Sequence, residues 1–216
     1  MKATVVGAGG LGGPIALALG AAGIELRIVD PDVVELSNLH RQIQFVPSHV
    51  GRAKAPQLAT TVVTHGGVAR GYQMRWTAQD ADDLSGDCDI VVDGSDDPNT
   101  KFAVADWAVS QRKPYVIASA LRFGGNVMVG AADTSCYRCL FEAPEEVASC
   151  TTAGILGPVV GVIGGLAAAL TLGLLHGDRT HAGSIYVFED LRASPDPRIV
   201  RFDRRNDCPA CARGSS

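Results

Sequence analysis

The chain has 216 residues, of which 46% are apolar and 19% are charged, and its formal net charge at pH 7 is −4. This length fits one large domain that buries a real core without disulfide staples. The small negative charge excludes a broad basic surface, so we expect no nucleic acid partner. The first residues already form a strand and are not typical of a signal peptide, which favours a cytoplasmic protein with reduced thiols.

A glycine-rich loop follows the first predicted strand, residues 3–6. A helix over 14–22 and a second strand over 25–29 come next. Glycine allows a tight turn and a close approach to a phosphate or ribose, and the helix N-terminus favours an anion. An acid that ends the second strand can accept hydrogen bonds from ribose hydroxyls. This unit predicts a nucleotide site at Gly7, Gly9, Gly10, Gly12 and Asp30, without identifying the nucleotide.

A polar block, residues 37–42, follows directly on this unit. Asn38 and Arg41 are three residues apart, so they share a face of a helical turn. A planar guanidinium matches phosphate oxygens, which favours a triphosphate over a dinucleotide. Lys54 opens a predicted helix over 54–64, and its spacing alone predicts a position on a solvated helix face.

Predicted strands and helices alternate through the middle of the chain. Strands are expected near 68–74, 88–93 and 114–118, with helices near 78–84 and 99–111. Acids at the carboxyl end of a parallel strand lie in the ligand crevice of an open α/β sheet, and Asp96 and Asp97 follow the strand over 88–93. Asp96 offers a ligand for Mg²⁺. The alternative is that one acid only caps the next helix, and the two roles can be divided between them.

This alternation through residue 118 predicts a Rossmann-like, doubly wound and mainly parallel sheet. Later strands near 126–129, 184–188 and 199–202 predict a mixed C-terminal part. The single domain, 1–216, would then consist of a nucleotide-binding half, 1–118, and a mixed half, 119–212. An apolar helix over 157–175 is long enough to span a bilayer, but glycines interrupt it and no basic cluster flanks it. We therefore expect a buried helix and no membrane.

Four of the six cysteines form two C-x-x-C pairs: Cys136, Cys139, Cys208 and Cys211. The two pairs supply four sulfurs for a tetrahedral, structural Zn²⁺. An iron–sulfur cluster or two redox pairs are the alternatives. Cys88, at the mouth of a strand, is expected to be a small core residue. Cys150 precedes the apolar helix and is either a packing residue or a nucleophile.

Taken together, these residues resemble the ubiquitin-activating-enzyme superfamily, whose bacterial members ThiF and MoeB activate sulfur-carrier proteins. The resemblance covers residues 3–211. It rests on the glycine loop, Asp30, the polar block 37–42, Lys54, Asp93 with Asp96, the cysteine pairs and the run 150–154. Two further stretches, 118–125 and 152–162, resemble ThiF more than MoeB.

The resemblance implies an adenylyltransferase that uses ATP and Mg²⁺. Asp30 would hold the ribose, Asp96 the Mg²⁺ or the phosphate end, and Lys101 stands where the family has a basic residue. The remaining nucleotide ligands in the implied set are Asn38, Arg41, Gln42 and Lys54. The C-terminal Gly-Gly carboxylate of a ubiquitin-like carrier would attack the α-phosphate, and pyrophosphate would leave. Cys150 would then take the carrier or sulfur into a covalent adduct.

The same resemblance implies a homodimer, a ThiS-like carrier of thiamine synthesis and a cysteine desulfurase or other sulfur donor. A MoaD-like carrier for molybdopterin is the alternative within the superfamily. A dinucleotide-dependent oxidoreductase and a zinc-stapled binding protein without turnover are the alternatives outside adenylylation. The last gains support because the sequence does not show the arginine-bearing helix that usually precedes the first strand in the family.

Overall fold

The computed structural model describes residues 1–143 and 154–212. Its centre is an eight-stranded sheet with the strand order β3-β2-β1-β4-β5-β6-β7-β8. The strands are β1 Lys2–Val6, β2 Glu25–Val29, β3 Val68–Tyr72, β4 Ile90–Asp93, β5 Tyr115–Leu121, β6 Gly124–Gly130, β7 Ser184–Phe188 and β8 Arg198–Arg201. The α-helices in the described ranges are α1 Gly12–Ala21, α2 Lys54–Thr64, α3 Ala81–Ser85, α4 Pro98–Ser110, α5 Tyr137–Leu140 and α6 Gly157–Leu175.

The first five strands are parallel, and the last three pair antiparallel. Strand β1 lies between β2 and β4, so the strand order reverses beside it. In a doubly wound sheet the ligand crevice opens at such a reversal, outside the carboxyl ends of the strands. The predicted α/β fold with a mixed C-terminal part is confirmed, and it places the glycine loop and the end of β4 at the same crevice.

Two apolar layers cover the sheet, because successive strand residues point to opposite faces. Val5 belongs to the core beneath α1, α2 and α6, whereas Val6 belongs to the core beneath α3 and α4. The buried strand β4 is apolar on both faces, as expected for a parallel strand covered by helices on each side. Asp93, its last residue, is the exception and lies at the crevice.

Helix α6 is long and apolar enough to cross a membrane by length and composition, with a mean hydropathy of 2.1. Half of that apolar window, 50%, is buried against the rest of the protein. Ile163, Ala167 and Ala168 pack in the same core as α1 and the sheet. These contacts support the expectation of a buried core helix.

Some element bounds differ from those predicted. The helix expected over 78–84 begins only at Ala81, because Thr77 and Asp80 form a turn in which the threonine hydroxyl donates to the carboxylate at 2.6 Å. Strands β5 and β6 are longer than expected because they form a hairpin with Leu121 opposite Gly124. Arg122 turns this hairpin with a φ of 54°. Neither difference in element bounds changes where the crevice lies in the fold.

Gly12 is a position where only a residue without Cβ fits. A Cβ there would lie 1.8 Å from the carbonyl oxygen of Gly7. Since backbone would have to move, we expect Gly12→Ala to lower the free energy of unfolding by about 1–3 kcal/mol. Gly173→Ala is the matched control, because its Cβ would meet only Asp178 Cβ at 3.9 Å and helical alanine is favoured over glycine. Denaturant unfolding of both variants would show the difference, and equal stabilities would contradict the close contact at Gly12.

Candidate functional site

The glycine loop lies between the ends of β2 and β4 and contacts both. Gly7 has a φ of 90°, and its amide donates to the carbonyl oxygen of Val29 at 2.8 Å. A Cβ on Gly7 would lie 2.8 Å from the amide nitrogen of Ser95, so only glycine fits. The loop is thereby held against two strand ends.

The start of α1 leaves hydrogen-bond donors for a ligand. No side chain in the described ranges caps this helix, and its first turn carries no acidic residue. The amides of Gly9 and Gly10 donate to no acceptor in the part of the chain that the structure describes. Free amides at a helix N-terminus favour anions, so the loop is suited to a phosphate, and phosphate binding there stays a prediction.

Asp30 ends β2 and is fixed against the loop. Its Oδ2 accepts the amide of Ala8 at 2.6 Å, and its Oδ1 accepts the amide of Asp32 at 2.8 Å. Burial raises the pKa of Asp30 above its ordinary value, while these two hydrogen bonds and the charge of Lys54 oppose the rise. The carboxylate therefore has one orientation, and its role at a ribose stays a prediction.

Two side chains of the polar block donate hydrogen bonds to Asn38. Arg41 donates through Nη2 to Asn38 Oδ1 at 2.5 Å, and Gln42 donates through Nε2 to the same oxygen at 3.4 Å. The amide group of Asn38 donates in turn to Glu35 Oε2 at 3.0 Å. A Cβ on Gly9 would lie 3.5 Å from Gln42 Nε2, so the block borders the glycine loop. Asn38 and Arg41 share a face, as their spacing predicts.

Lys54 does not lie on a solvated helix face, so the expectation from spacing alone is wrong. The residue is 7% exposed, and its Nζ donates to Asp32 Oδ2 at 2.9 Å. The reason is an isolated bridge between Val33 and Ala53, which brings the start of α2 back onto the segment that follows β2. The ammonium is thus close enough to act on Asp30 through its charge, and its contact with a phosphate stays a prediction.

The ammonium group of Lys101 donates all of its hydrogen bonds to two backbone carbonyl oxygens and a buried carboxylate. Its Nζ donates to Asp93 Oδ2 at 2.7 Å, to the carbonyl oxygen of Ser95 at 2.7 Å and to that of Ala118 at 2.8 Å. An ammonium has three donors, so none is left for a phosphate, and the geometry contradicts a direct nucleotide contact. Burial raises the pKa of Asp93, and the Lys101 charge opposes the rise. Lys101 instead ties the end of β4 to the middle of β5.

Asp96 and Asp97 have the divided roles that the sequence allows. Asp97 caps α4, because its side chain accepts the amide of Asn99 at 3.1 Å and the hydroxyl of Thr100 at 2.7 Å. Asp96 is exposed and makes no hydrogen bond or ion pair with any other described residue. It is therefore free to offer oxygen to a cation at the carboxyl end of β4.

Three buried side-chain atoms in the described ranges have no hydrogen-bond partner: Gln42 Oε1, Gln44 Oε1 and Ser95 Oγ. All three residues border the glycine loop. Gln44 contacts it directly, since its Nε2 donates to the carbonyl oxygens of Ala8 at 3.0 Å and Gly9 at 2.9 Å. Buried polar atoms are normally paired, so their concentration here indicates a site for a polar ligand. Sequence reasoning missed Gln44, whose only signal was a polar residue just beyond the polar block.

The four paired cysteines form one buried cluster. Their Sγ atoms all lie within 4.8 Å of one another. The Sγ–Sγ distances are 3.4 Å for Cys136–Cys208, 3.4 Å for Cys139–Cys211 and 3.8 Å for Cys136–Cys139. Tetrahedral zinc with Zn–S bonds of about 2.3 Å has sulfur–sulfur edges of about 3.8 Å, whereas a disulfide is about 2.0 Å long. The donor set fits the predicted four-sulfur metal site, and zinc as its occupant stays a prediction.

The remaining two cysteines differ. Cys88 is 1% exposed and accepts a hydrogen bond from Thr4 Oγ1 at 3.2 Å, and burial raises its pKa. It is the core residue that the sequence predicts. Cys150 lies outside the described residues, so its role as a nucleophile stays a prediction.

Comparisons with known proteins agree on one family. The ThiF family model matches residues 1–210. The adenylyltransferase and sulfurtransferase MOCS3 of Dictyostelium discoideum is 38% identical over 217 residues, 96% of this chain and 51% of that protein. The adenylyltransferase and sulfurtransferase UBA4 of Kluyveromyces lactis is 38% identical over 222 residues, 97% of this chain and 50% of that protein. The chain thus spans about half the length of these curated relatives.

Solved structures show the same fold at lower identity. A crystal structure of E. coli MccB with ATP aligns with a TM-score of 0.84 and 20% identity over 98% of this chain and 67% of that chain. The structure of PaaA aligns with a TM-score of 0.77 and 19% identity over 94% of this chain and 64% of that chain. Both likenesses support the Rossmann-type architecture.

The cysteine cluster generates a direct prediction. Metal analysis of the purified protein should give about one zinc per chain, because four thiolates satisfy a tetrahedral zinc. Cys208→Ser removes one ligand and should release most of the metal. Cys88→Ser is the control, since this thiol lies outside the cluster, and it should keep the zinc. Iron in place of zinc, or equal metal content in the two variants, would contradict the assignment.

Proposed function

The chain belongs to the ThiF family, and on that premise we propose that it adenylylates the C-terminal Gly-Gly carboxylate of a ubiquitin-like sulfur carrier. The observation that carries the proposal is the composition of the crevice. Among the described residues, the amides of Gly9 and Gly10 and the side chain of Asp96 have no partner, and three buried polar atoms beside the loop also lack one. Arg41 belongs to the polar block that borders the same loop. A triphosphate with Mg²⁺ offers the charges and hydrogen-bonding groups that would satisfy them. A dinucleotide carries fewer phosphate charges and needs no Mg²⁺, so it would give Arg41 and Asp96 fewer partners.

In the proposed reaction the carrier carboxylate attacks the α-phosphate of ATP. The bond from that phosphorus to the bridging oxygen breaks, pyrophosphate leaves, and an acyl-adenylate forms. The protein contributes position and charge more than covalent chemistry. The loop amides and Arg41 would hold phosphate oxygens, Lys54 would add positive charge, and Asp30 would accept the ribose hydroxyls. Asp96 offers the oxygen that a triphosphate-bound Mg²⁺ prefers.

Asn38 and Gln42 have two different roles in the proposed site: Asn38 orients Arg41, and Gln42 offers a hydrogen-bond acceptor. Asn38 Oδ1 accepts from both Arg41 and Gln42, so it restrains the guanidinium that would contact phosphate. The free Gln42 Oε1 would accept a hydrogen bond from the ligand or its water shell. Lys101 is left out of the contact set because its three donors are used within the protein.

For the carrier we propose a ThiS-like protein of thiamine synthesis. The support is the resemblance of residues 118–125 and 152–162 to ThiF. A MoaD-like carrier of molybdopterin synthesis is the alternative. The two are separated by offering each carrier to the same protein, since the cognate carrier should give the lower KM.

The proposed partners also include a second copy of this chain and a sulfur donor such as a cysteine desulfurase. Support for a homodimer comes from the outer face of α6, where Val162 is 46% exposed and no described atom lies within 4 Å of a Cβ on Gly161 or Gly165. In this scheme the protein acts in the cytoplasm, and Cys150 receives the carrier or sulfur after adenylylation.

ATP–pyrophosphate exchange tests the adenylylation step. Zinc-loaded protein with a Gly-Gly-ended carrier should catalyse the exchange, and Arg41→Ala or Asp96→Ala should slow it by about 100-fold because each removes a charge partner of the triphosphate. Arg112→Ala is the control, since that arginine is exposed and pairs with Asp133 away from the crevice. No exchange with any ubiquitin-like carrier would refute the proposal.

A second variant separates the two chemical steps. Cys150→Ala should keep ATP–pyrophosphate exchange near the wild-type rate, because adenylylation needs no thiol, and should abolish sulfur transfer to the carrier. Exchange and carrier thiocarboxylate would be measured on the same preparation. Loss of exchange, or full sulfur transfer, would remove Cys150 from the proposed role.

A further inference from the structure

We propose that Arg138 and Asp106 are positioning residues that couple the cysteine cluster to the nucleotide crevice through α4. The inference rests on the function proposed above and extends it. Metal binding at the cluster would then improve nucleotide binding, in addition to holding the C-terminal segment against the middle of the chain.

The first link joins the cluster to α4. Arg138 lies between Cys136 and Cys139, and its Nε donates to both oxygens of Asp106, at 2.7 and 2.9 Å. Its Nη2 also donates to Asp106 Oδ2 at 2.8 Å. The Arg138 side chain is 25% exposed and that of Asp106 is 37% exposed, so the pair is only partly shielded from solvent. A planar fork held at several points fixes direction as well as distance.

Aromatic packing reinforces this link. The guanidinium carbon of Arg138 lies 4.8 Å from the ring centroid of Phe102, one helical turn before Asp106. Tyr137 meets the same ring edge-to-face, with centroids 4.9 Å apart and an interplanar angle of 79°. The amide of Tyr137 also donates to the hydroxyl of Tyr115 at 2.9 Å, at the start of β5. The residues between the two cysteines are thus packed on both α4 and β5.

The second link joins α4 to the crevice. Lys101 is adjacent to Phe102, and its ammonium ties the end of β4 to the middle of β5 through Asp93, Ser95 and Ala118. Ser95 directly precedes Asp96, and its amide lies against the position of a Cβ on Gly7. Helix α4 therefore contacts the cluster through Asp106 and the proposed ATP site through Lys101.

Coupling through α4 predicts an effect on ATP binding that a purely structural metal site would not have. A purely structural site stabilises the fold but leaves the nucleotide affinity of the folded protein unchanged. If α4 transmits the position of the cluster, metal should tighten ATP binding, and we expect about tenfold. Because coupling free energies are reciprocal, saturating ATP·Mg²⁺ should tighten zinc binding by the same factor.

The experiment measures the two coupled binding equilibria, of zinc and of ATP, on the full chain. Zinc affinity is titrated with and without saturating ATP·Mg²⁺, and ATP affinity is titrated with and without zinc, with circular dichroism as the check on folding. Asp106→Asn and Arg138→Lys should each bring the coupling factor close to one. Asp87→Asn is the matched control, because it weakens the Arg27 pair, where the arginine is 24% exposed, and should keep the wild-type factor.

A second measurement covers the case in which zinc-free protein unfolds. Zinc-loaded Asp106→Asn, with metal analysis still at one zinc per chain, should bind ATP several-fold more weakly than zinc-loaded Asp87→Asn. Equal ATP affinities in these two variants, or a wild-type coupling factor of one, would overturn the proposal. A failure of zinc-loaded wild-type protein to bind ATP would instead refute the proposed function from which this inference starts.

Discussion

The buried ion pair between Lys101 and Asp93 is the interaction on which the crevice depends. The Asp93 side chain is fully buried and that of Lys101 is 8% exposed, with 2.7 Å between Nζ and Oδ2. A lone charge at this depth would be strongly unfavourable, so removal of either partner would cost about 3–5 kcal/mol. The same ammonium binds the carbonyl oxygen of Ser95, just after β4, and that of Ala118, in the middle of β5, and so ties the end of β4 to its neighbouring strand. Ser95 is thereby placed close enough to exclude a side chain at Gly7.

The other residues of the site lie around the end of β4 that this ion pair holds. The glycine loop contacts the backbone on both sides, and Asp30 holds the amide of Ala8, while the amides of Gly9 and Gly10 have no acceptor among the described residues. Arg41 is restrained by Asn38 at the rim. Arg41, Asp30 and Lys54 are therefore each held by a neighbour before any ligand arrives, whereas Asp96 is exposed and has no partner among the described residues. Preorganisation of this kind is what a reaction dominated by charge stabilisation requires.

Local patterns predicted most of the fold and about half of the site's geometry. The strand, glycine turn and helix, the two C-x-x-C pairs and the cap at Asp97 depend on residues close in sequence, and the structure has them where expected. Spacing alone misplaces Lys54, and the resemblance does not give the partners of Lys101, because both environments come from distant segments: the bridge of Val33 to Ala53, and the end of β4 with the middle of β5. Periodicity cannot tell a buried ammonium from a solvated one when the burying atoms belong to another element.

The central claim is that the crevice directs a carboxylate to the α-phosphate of ATP. The most direct test is mass spectrometry of a Gly-Gly-ended carrier quenched during reaction with zinc-loaded protein and ATP, together with identification of the released nucleotide product. The account predicts AMP on the C-terminal glycine carboxylate and pyrophosphate in solution. Release of ADP, or a carrier that stays unmodified while ATP is hydrolysed, would contradict it.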